Sequence, residues 1–149
     1  MMTIAIKMIV ILALDTLKIK IMFDKSQRAK FDYWFAHWCA FNMTALNLGT
    51  WKFKYLFHDI EKPWLMWIWK DYKRVQRWHR KHNRHHLEYS GKKVYDFEAM
   101  VIDWECSRFT KSASPLTARE EYTKNIYHNP YYPLWVKYGI ESTLIKLNL

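Results

Sequence analysis

The sequence predicts an all-α protein, a single-domain bundle of five or six helices. Three observations carry that prediction. Glycine and proline number only three and four in 149 residues, too few for the many turns of an all-β chain. Apolar residues recur at three- and four-residue spacing over long stretches. Residues that start and stop helices bracket those stretches. A chain of this length makes one ordinary domain with a sizeable core. With half its residues hydrophobic and 18% aromatic, it has the composition of a folded protein.

Each element follows from its own signals. The first helix spans Ser26 to Leu48, where Phe31, Trp34, Phe35, Trp38, Phe41, Ala45 and Leu48 form a stripe and Gly49 is a natural stop. Trp51 to Ile60 reads as a short helix. Pro63 suits the first turn of a long helix from Trp64 to about Glu88, with Trp64, Trp67, Ile68, Asp71, Val75 and Trp78 as its stripe. A turn centred on Gly91 follows. Asp96 is an N-cap for a helix that runs to Phe109, with Phe97, Met100, Val101 and Trp104 as its apolar face. The stretch S-A-S-P-L is a loop. Thr117 and Glu120 have capping-box spacing before the next helix. N-P-Y-Y-P ends that helix, and a last one lies within Trp135 to Leu147.

Residues 1–22 read as a peripheral extension to a domain over 23–149, with Met22 a candidate start. The uncharged run from Met8 to Leu14 is too short for a bilayer, which needs roughly 20 apolar residues. Asp15 follows it with no small-x-small cleavage site, and I-K-I-K-I alternates like a strand. The expectation is a protein with no transmembrane segment. Cys39 and Cys106 are far apart and form no C-x-x-C, which excludes a disulfide framework or zinc knuckle and suits reduced thiols in the cytoplasm. Net charge is +10 with a pI near 9.6, so the chain favours polyanions: nucleic acid, nucleotides, phosphorylated substrates or an anionic surface. Lysine and arginine are spread along the chain, as a solvated basic surface also requires.

The candidate chemistry lies in the histidines and aspartates. In chain order they are His37, then His58-Asp59, then His79, His82, His85 and His86, then Asp103. Each set falls on a different expected helix, and helical bundles build metal sites from facing helices in this way. Taken singly, His37 is more often a hydrogen-bonded core histidine, the cluster a solvated basic face and Asp103 a residue at the edge of an apolar stripe. Together they suggest a buried carboxylate with imidazoles around a cation. On one helix His82 and His86 lie about 40° apart, with His79 alongside and His85 rotated off that line to line the site. Arg80, Lys81 and Arg84 fall at the rim, where they attract an anion.

The pattern His37, His58-Asp59, Asp103 on an all-α core resembles the HD-domain superfamily of metal-dependent phosphohydrolases. His82 and His86 fit the two further histidines of its two-metal members. The tract H-D-I-x-K resembles the version whose lysine faces the substrate phosphate, a role that falls on Lys62. From His37 to Tyr122, the tracts H-D-x-x-K, H-N-R-H-H-x-E-Y and I-D-W-E also resemble a small phage and bacterial domain family of unknown function. That likeness covers roughly the chain after Met22.

The resemblance implies one or two divalent transition metals (Mn, Fe, Co, Ni or Zn) held by His37, His58, Asp59, His82, His86 and Asp103. It implies activation of water with Asp59 and Lys62 at the reacting centre, and Lys62 on the phosphate of a phosphorylated small molecule such as a nucleotide; the cluster itself places His79, Arg80, Arg84 and His85 as further substrate-binding candidates. Two rivals remain open at this point: a di-iron oxygenase-type enzyme of the same superfamily, and a non-catalytic basic protein that binds nucleic acid or a partner through interleaved Trp, Tyr and basic residues.

Overall fold

The computed structural model describes residues 25–111 and 115–149, so the expected extension over 1–22, and part of the S-A-S-P-L loop, lie outside the described residues. The described residues form six α-helices and no strand. Where the sequence suggests one bundle, the chain divides into two compact units, Met1–His79 and Arg80–Leu149.

In the first unit, α1 (Lys25–Asn47) ends where Gly49 takes the left-handed conformation at φ +67°, a region that favours glycine. A 3₁₀ turn (Phe53–Phe57) stands where a short helix is expected. Then come α2 (Glu61–Trp69) and α3 (Tyr72–His82). α1 packs against the 3₁₀ turn and α2, and Phe31, Trp34, Trp38, Leu56, Met66 and Val75 form the core.

The long helix expected from Trp64 to Glu88 is two helices. Lys70 ends α2 in the left-handed region at φ 56°, and the Asp71 carboxylate accepts from the backbone N–H groups of Lys73 and Arg74 at 2.9 and 3.3 Å. Asp71 is therefore a cap for α3 rather than a member of a continuous stripe. The break also resets the phase of the helix. Trp64, Trp67 and Ile68 are 55%, 49% and 62% exposed, whereas Lys62, Pro63 and Met66 are the buried residues of α2. An apolar run on all sides carries no periodic signal from which to choose the inward face.

The second unit holds the end of α3, a bent connection, α4 (Phe97–Thr110), α5 (Ala118–Tyr122) and α6 (Leu134–Lys146). These three helices pack on one another. Both expected caps form. The Asp96 carboxylate accepts from the Ala99 N–H, and Thr117 and Glu120 close a complete capping box. α5 relaxes into a single π turn over Thr123–Tyr127 before the proline-rich break. Met100, Val101, Ile102, Cys106, Ala118, Tyr122, Ile126, Val136, Ile140 and Leu144 are buried. Gly139 on α6 lies so close to Phe97 that a Cβ there would sit 2.3 Å from the ring. No helix among the described residues is long and apolar enough to cross a membrane.

Candidate metal centre

The His58-Asp59 turn is held by side chains that α1 presents at four-residue spacing. Trp34 Nε1 donates to the Asp59 carbonyl at 2.9 Å, Trp38 Nε1 to the Leu56 carbonyl at 3.0 Å, and Asn42 Nδ2 to the Tyr55 carbonyl at 3.2 Å. Residues 34, 38 and 42 share one face of a helix, so three donors meet three carbonyls that precede or form the turn. The Phe41 ring stacks on His58 at 3.6 Å and 7°. Asp59 itself has φ 59°, a left-handed conformation that Asp tolerates better than most residues. The clamp fixes this strained backbone and aims the carboxylate inward.

Asp59 is 2% exposed and sits at the centre of a buried ionisable cluster. His79 Nε2 lies 3.1 Å and His58 Nε2 3.5 Å from Asp59 Oδ1. Lys62 Nζ lies 2.5 Å from Asp59 Oδ2. On its other side, His79 Nδ1 meets Glu61 Oε1. The His37 and His58 rings are 5.9 Å apart, and Tyr33 stacks over His37. His37, His58, Lys62 and His79 are all at most 8% exposed. Burial pushes the Glu61 carboxyl up, but the hydrogen bond and charge of His79 outweigh it and hold the group below its usual range, against a smaller opposing push from Asp59.

Two donor sets meet at Asp59. In each of the sets His37, His58, Asp59 and Asp59, Glu61, His79, one donor atom from every residue lies within 4.8 Å of the others. Two ligands on one ion at bonds of about 2.1 Å are at most about 4.2 Å apart, so small side-chain adjustments bring either set to ligating distance. The 3.1 and 3.5 Å spans on Asp59 Oδ1 correspond to ligand–metal–ligand angles of about 95° and 110°, within the usual range for such bonds. These buried His/Asp groups can hold a metal ion.

Not every expected site residue enters this cluster by the expected route. His82 and His86 are expected on one helical face. α3 ends at His82, which is exposed, and His86 lies in the bent connection beyond it, so the two do not share a helix. His85 is buried, with its ring 4.2 Å from the His86 ring. His79, expected to bind substrate, is fully buried between Asp59 and Glu61. Arg80 pairs with Glu88 at 3.0 Å on the surface, and Arg84 Nε donates to the Val94 carbonyl at 2.6 Å. Asp103 is buried on α4 in the second unit, and its carbonyl accepts from the Ser107 hydroxyl at 2.8 Å. Sequence reasoning missed Glu61 and the turn-holding role of Trp34. The spacing of Trp34, Trp38 and Asn42, three donors on one helix face, was the available signal.

Comparison with known proteins finds no matching family model, no significant match among curated proteins and none among solved structures. The likeness to the HD-domain superfamily therefore rests on motif order.

Proposed function

We propose that the chain is a metal-dependent phosphohydrolase that acts on a phosphorylated small molecule. One observation carries the reading: imidazole nitrogens of His58 and His79 converge on one oxygen of the buried Asp59, with the Lys62 ammonium on the other. His37, His58, Asp59 and His79 would hold the cation, and mixed imidazole and carboxylate donors suit Mn, Fe, Co, Ni or Zn. Such an ion supplies a Lewis acid that acidifies water and polarises a phosphoryl oxygen.

The chain's own residues do the rest. Asp59, locked by Trp34, keeps one oxygen for the cation and one for Lys62. Lys62 sets a positive charge beside the cation position, where the oxygens of a phosphoryl group gain charge during attack. Phe41 and Tyr33 stack on His58 and His37 and hold the two rings in orientation. The surplus of 24 basic over 14 acidic residues draws phosphorylated anions toward the protein.

The test is metal content of the purified chain by elemental analysis, for wild type, His58→Ala and Asp59→Asn. Phosphate release from nucleotides and p-nitrophenyl phosphate is then measured with Mn²⁺ or with chelator, in air and under argon. The reading expects bound metal in wild type, its loss in His58→Ala and Asp59→Asn, and chelator-sensitive phosphate release that ignores oxygen. Metal-free wild type would sink it. So would turnover that stops under argon, which is the oxygenase outcome.

A further inference from the structure

The Asp59 cluster contains a carboxylate that the proposed chemistry does not use. Glu61, in the first turn of α2, accepts at Nδ1 of His79, and Asp59 Oδ1 stands at Nε2 of the same ring. An ionised carboxylate only accepts hydrogen bonds, and a neutral imidazole donates through one nitrogen. Two ionised carboxylates at opposite nitrogens fit a ring whose Nδ1 carries the proton for Glu61 and whose Nε2 faces a cation beside Asp59. With a cation at Nε2, the ring is neutral, its proton sits on Nδ1, and Glu61 accepts it. The ring is fully buried, and Glu61, whose own side chain is 27% exposed, is the carboxylate at its Nδ1.

We propose that Glu61 is a positioning residue of the metal centre: by accepting from Nδ1 of His79, it fixes the tautomer and ring orientation that turn the Nε2 lone pair onto the cation beside Asp59. The inference rests on the metal-centre reading above. Carboxylate partners of ligating histidines act in this way, and removing one typically weakens metal affinity by about 10–100-fold. A purely structural Glu61 would instead serve the positive end of α2, which favours an acidic residue in the first turn. That role moves the thermal stability of the metal-free protein and leaves metal binding alone.

Titration of the full chain with Co²⁺, followed by visible absorption, separates the two roles. Wild type is compared with Glu61→Ala and with Glu61→Gln, which keeps an acceptor oxygen. The expected result is about 10–100-fold weaker Co²⁺ binding and an altered ligand-field spectrum in Glu61→Ala, with several-fold weakening and a partly restored spectrum in Glu61→Gln. Wild-type affinity and spectrum in both variants would overturn the inference and leave the metal centre standing. Should Glu61→Ala fail to fold by circular dichroism, Glu61→Leu, which fills the space without an acceptor, takes its place, and wild-type affinity and spectrum there would overturn the inference. A wild type that binds no Co²⁺ would overturn both the inference and the reading on which it rests.

Discussion

Asp59 and Glu105 are both buried carboxylates, one in each unit, and they meet different kinds of partner. Glu105 faces the backbone of its own unit: Oε2 accepts from the Ala118 N–H at 2.9 Å, and Oε1 pairs with Arg108 one helical turn away at 3.1 Å. Those contacts fasten the start of α5 to α4. Asp59 faces other ionisable side chains, Lys62, His58 and His79, and its backbone is bound from α1. Burying charges against one another is seldom the most stable solution, because desolvation takes back most of the Coulombic gain. Apolar side chains such as Met100, Ile102, Ile140 and Leu144 fill much of the second unit's core, whereas at Asp59 several ionisable groups are buried against one another. The polar heart of the first unit is the feature that the proposed metal centre accounts for.

The largest expected effect comes from removing the carboxylate at the centre. Asp59→Ala strips Lys62 and the two imidazoles of their common partner, and breaking a buried ionic contact this way costs about 3–5 kcal/mol. Asp59→Asn keeps the shape and tolerates the positive φ, so it isolates the charge. Wild type at a metal concentration 100 times its dissociation constant gains about 2.7 kcal/mol against denaturant, and Asp59→Asn gains none. Equal stabilisation of both by metal would remove Asp59 from the centre.

The matching cut in the second unit is Ile140→Ala. Ile140 is fully buried on α6, and its loss should cost about 2–5 kcal/mol in urea denaturation. Metal stoichiometry of the folded protein should stay at the wild-type value. A drop in stoichiometry would mean that the division of labour between the units is false.

How much of this was legible in sequence depends on the kind of signal. Caps are local: Asp96, and Thr117 with Glu120, use side chains three residues from their partners, and they form as read. The stripe of α1 is right in phase at Phe31, Trp34, Trp38 and Phe41. The stretch 64–69 has no polar residue to mark an outer face, so its orientation was read the wrong way round. Asp71 lay inside an assumed stripe when its chemistry suited a cap, and that single misreading carried a helix across Lys70 and on past His82. The motif pairing of His58 with Asp59 was visible. The carboxylate clamp on His79 was not, since it joins α2 to α3 across 18 residues, and only the chain path sets that distance.

A smaller effect probes the clamp on the Asp59 turn. Trp34→Phe keeps most of the ring in the core and deletes the Nε1 donor to the Asp59 carbonyl. The hydrogen bond is worth about 0.5–1.5 kcal/mol of stability. Metal affinity should fall by more than that loss implies for a mere core residue, because a left-handed turn released from its donor no longer holds the carboxylate in place. Trp38→Phe, which frees Leu56 rather than Asp59, is the control and should leave affinity nearer the wild-type value.

The smallest effect falls on the cap of α5, far in kind from any ionisable cluster. Thr117→Ala removes an N-cap and should cost about 1 kcal/mol. Glu120 supplies the other half of the box: its carboxylate accepts from the Thr117 N–H at 2.8 Å, and the backbone and side-chain hydrogen bonds of Thr117 hold its pKa below the usual carboxylate range. A lowered folded-state pKa means that the contribution is complete above the unfolded-state value and is lost as pH falls through the folded one. The stability gap between wild type and Glu120→Gln should therefore be constant near neutrality and close as the solution is acidified below that range. A gap that stayed open in acid would show that the box works through shape alone, without the charge of Glu120.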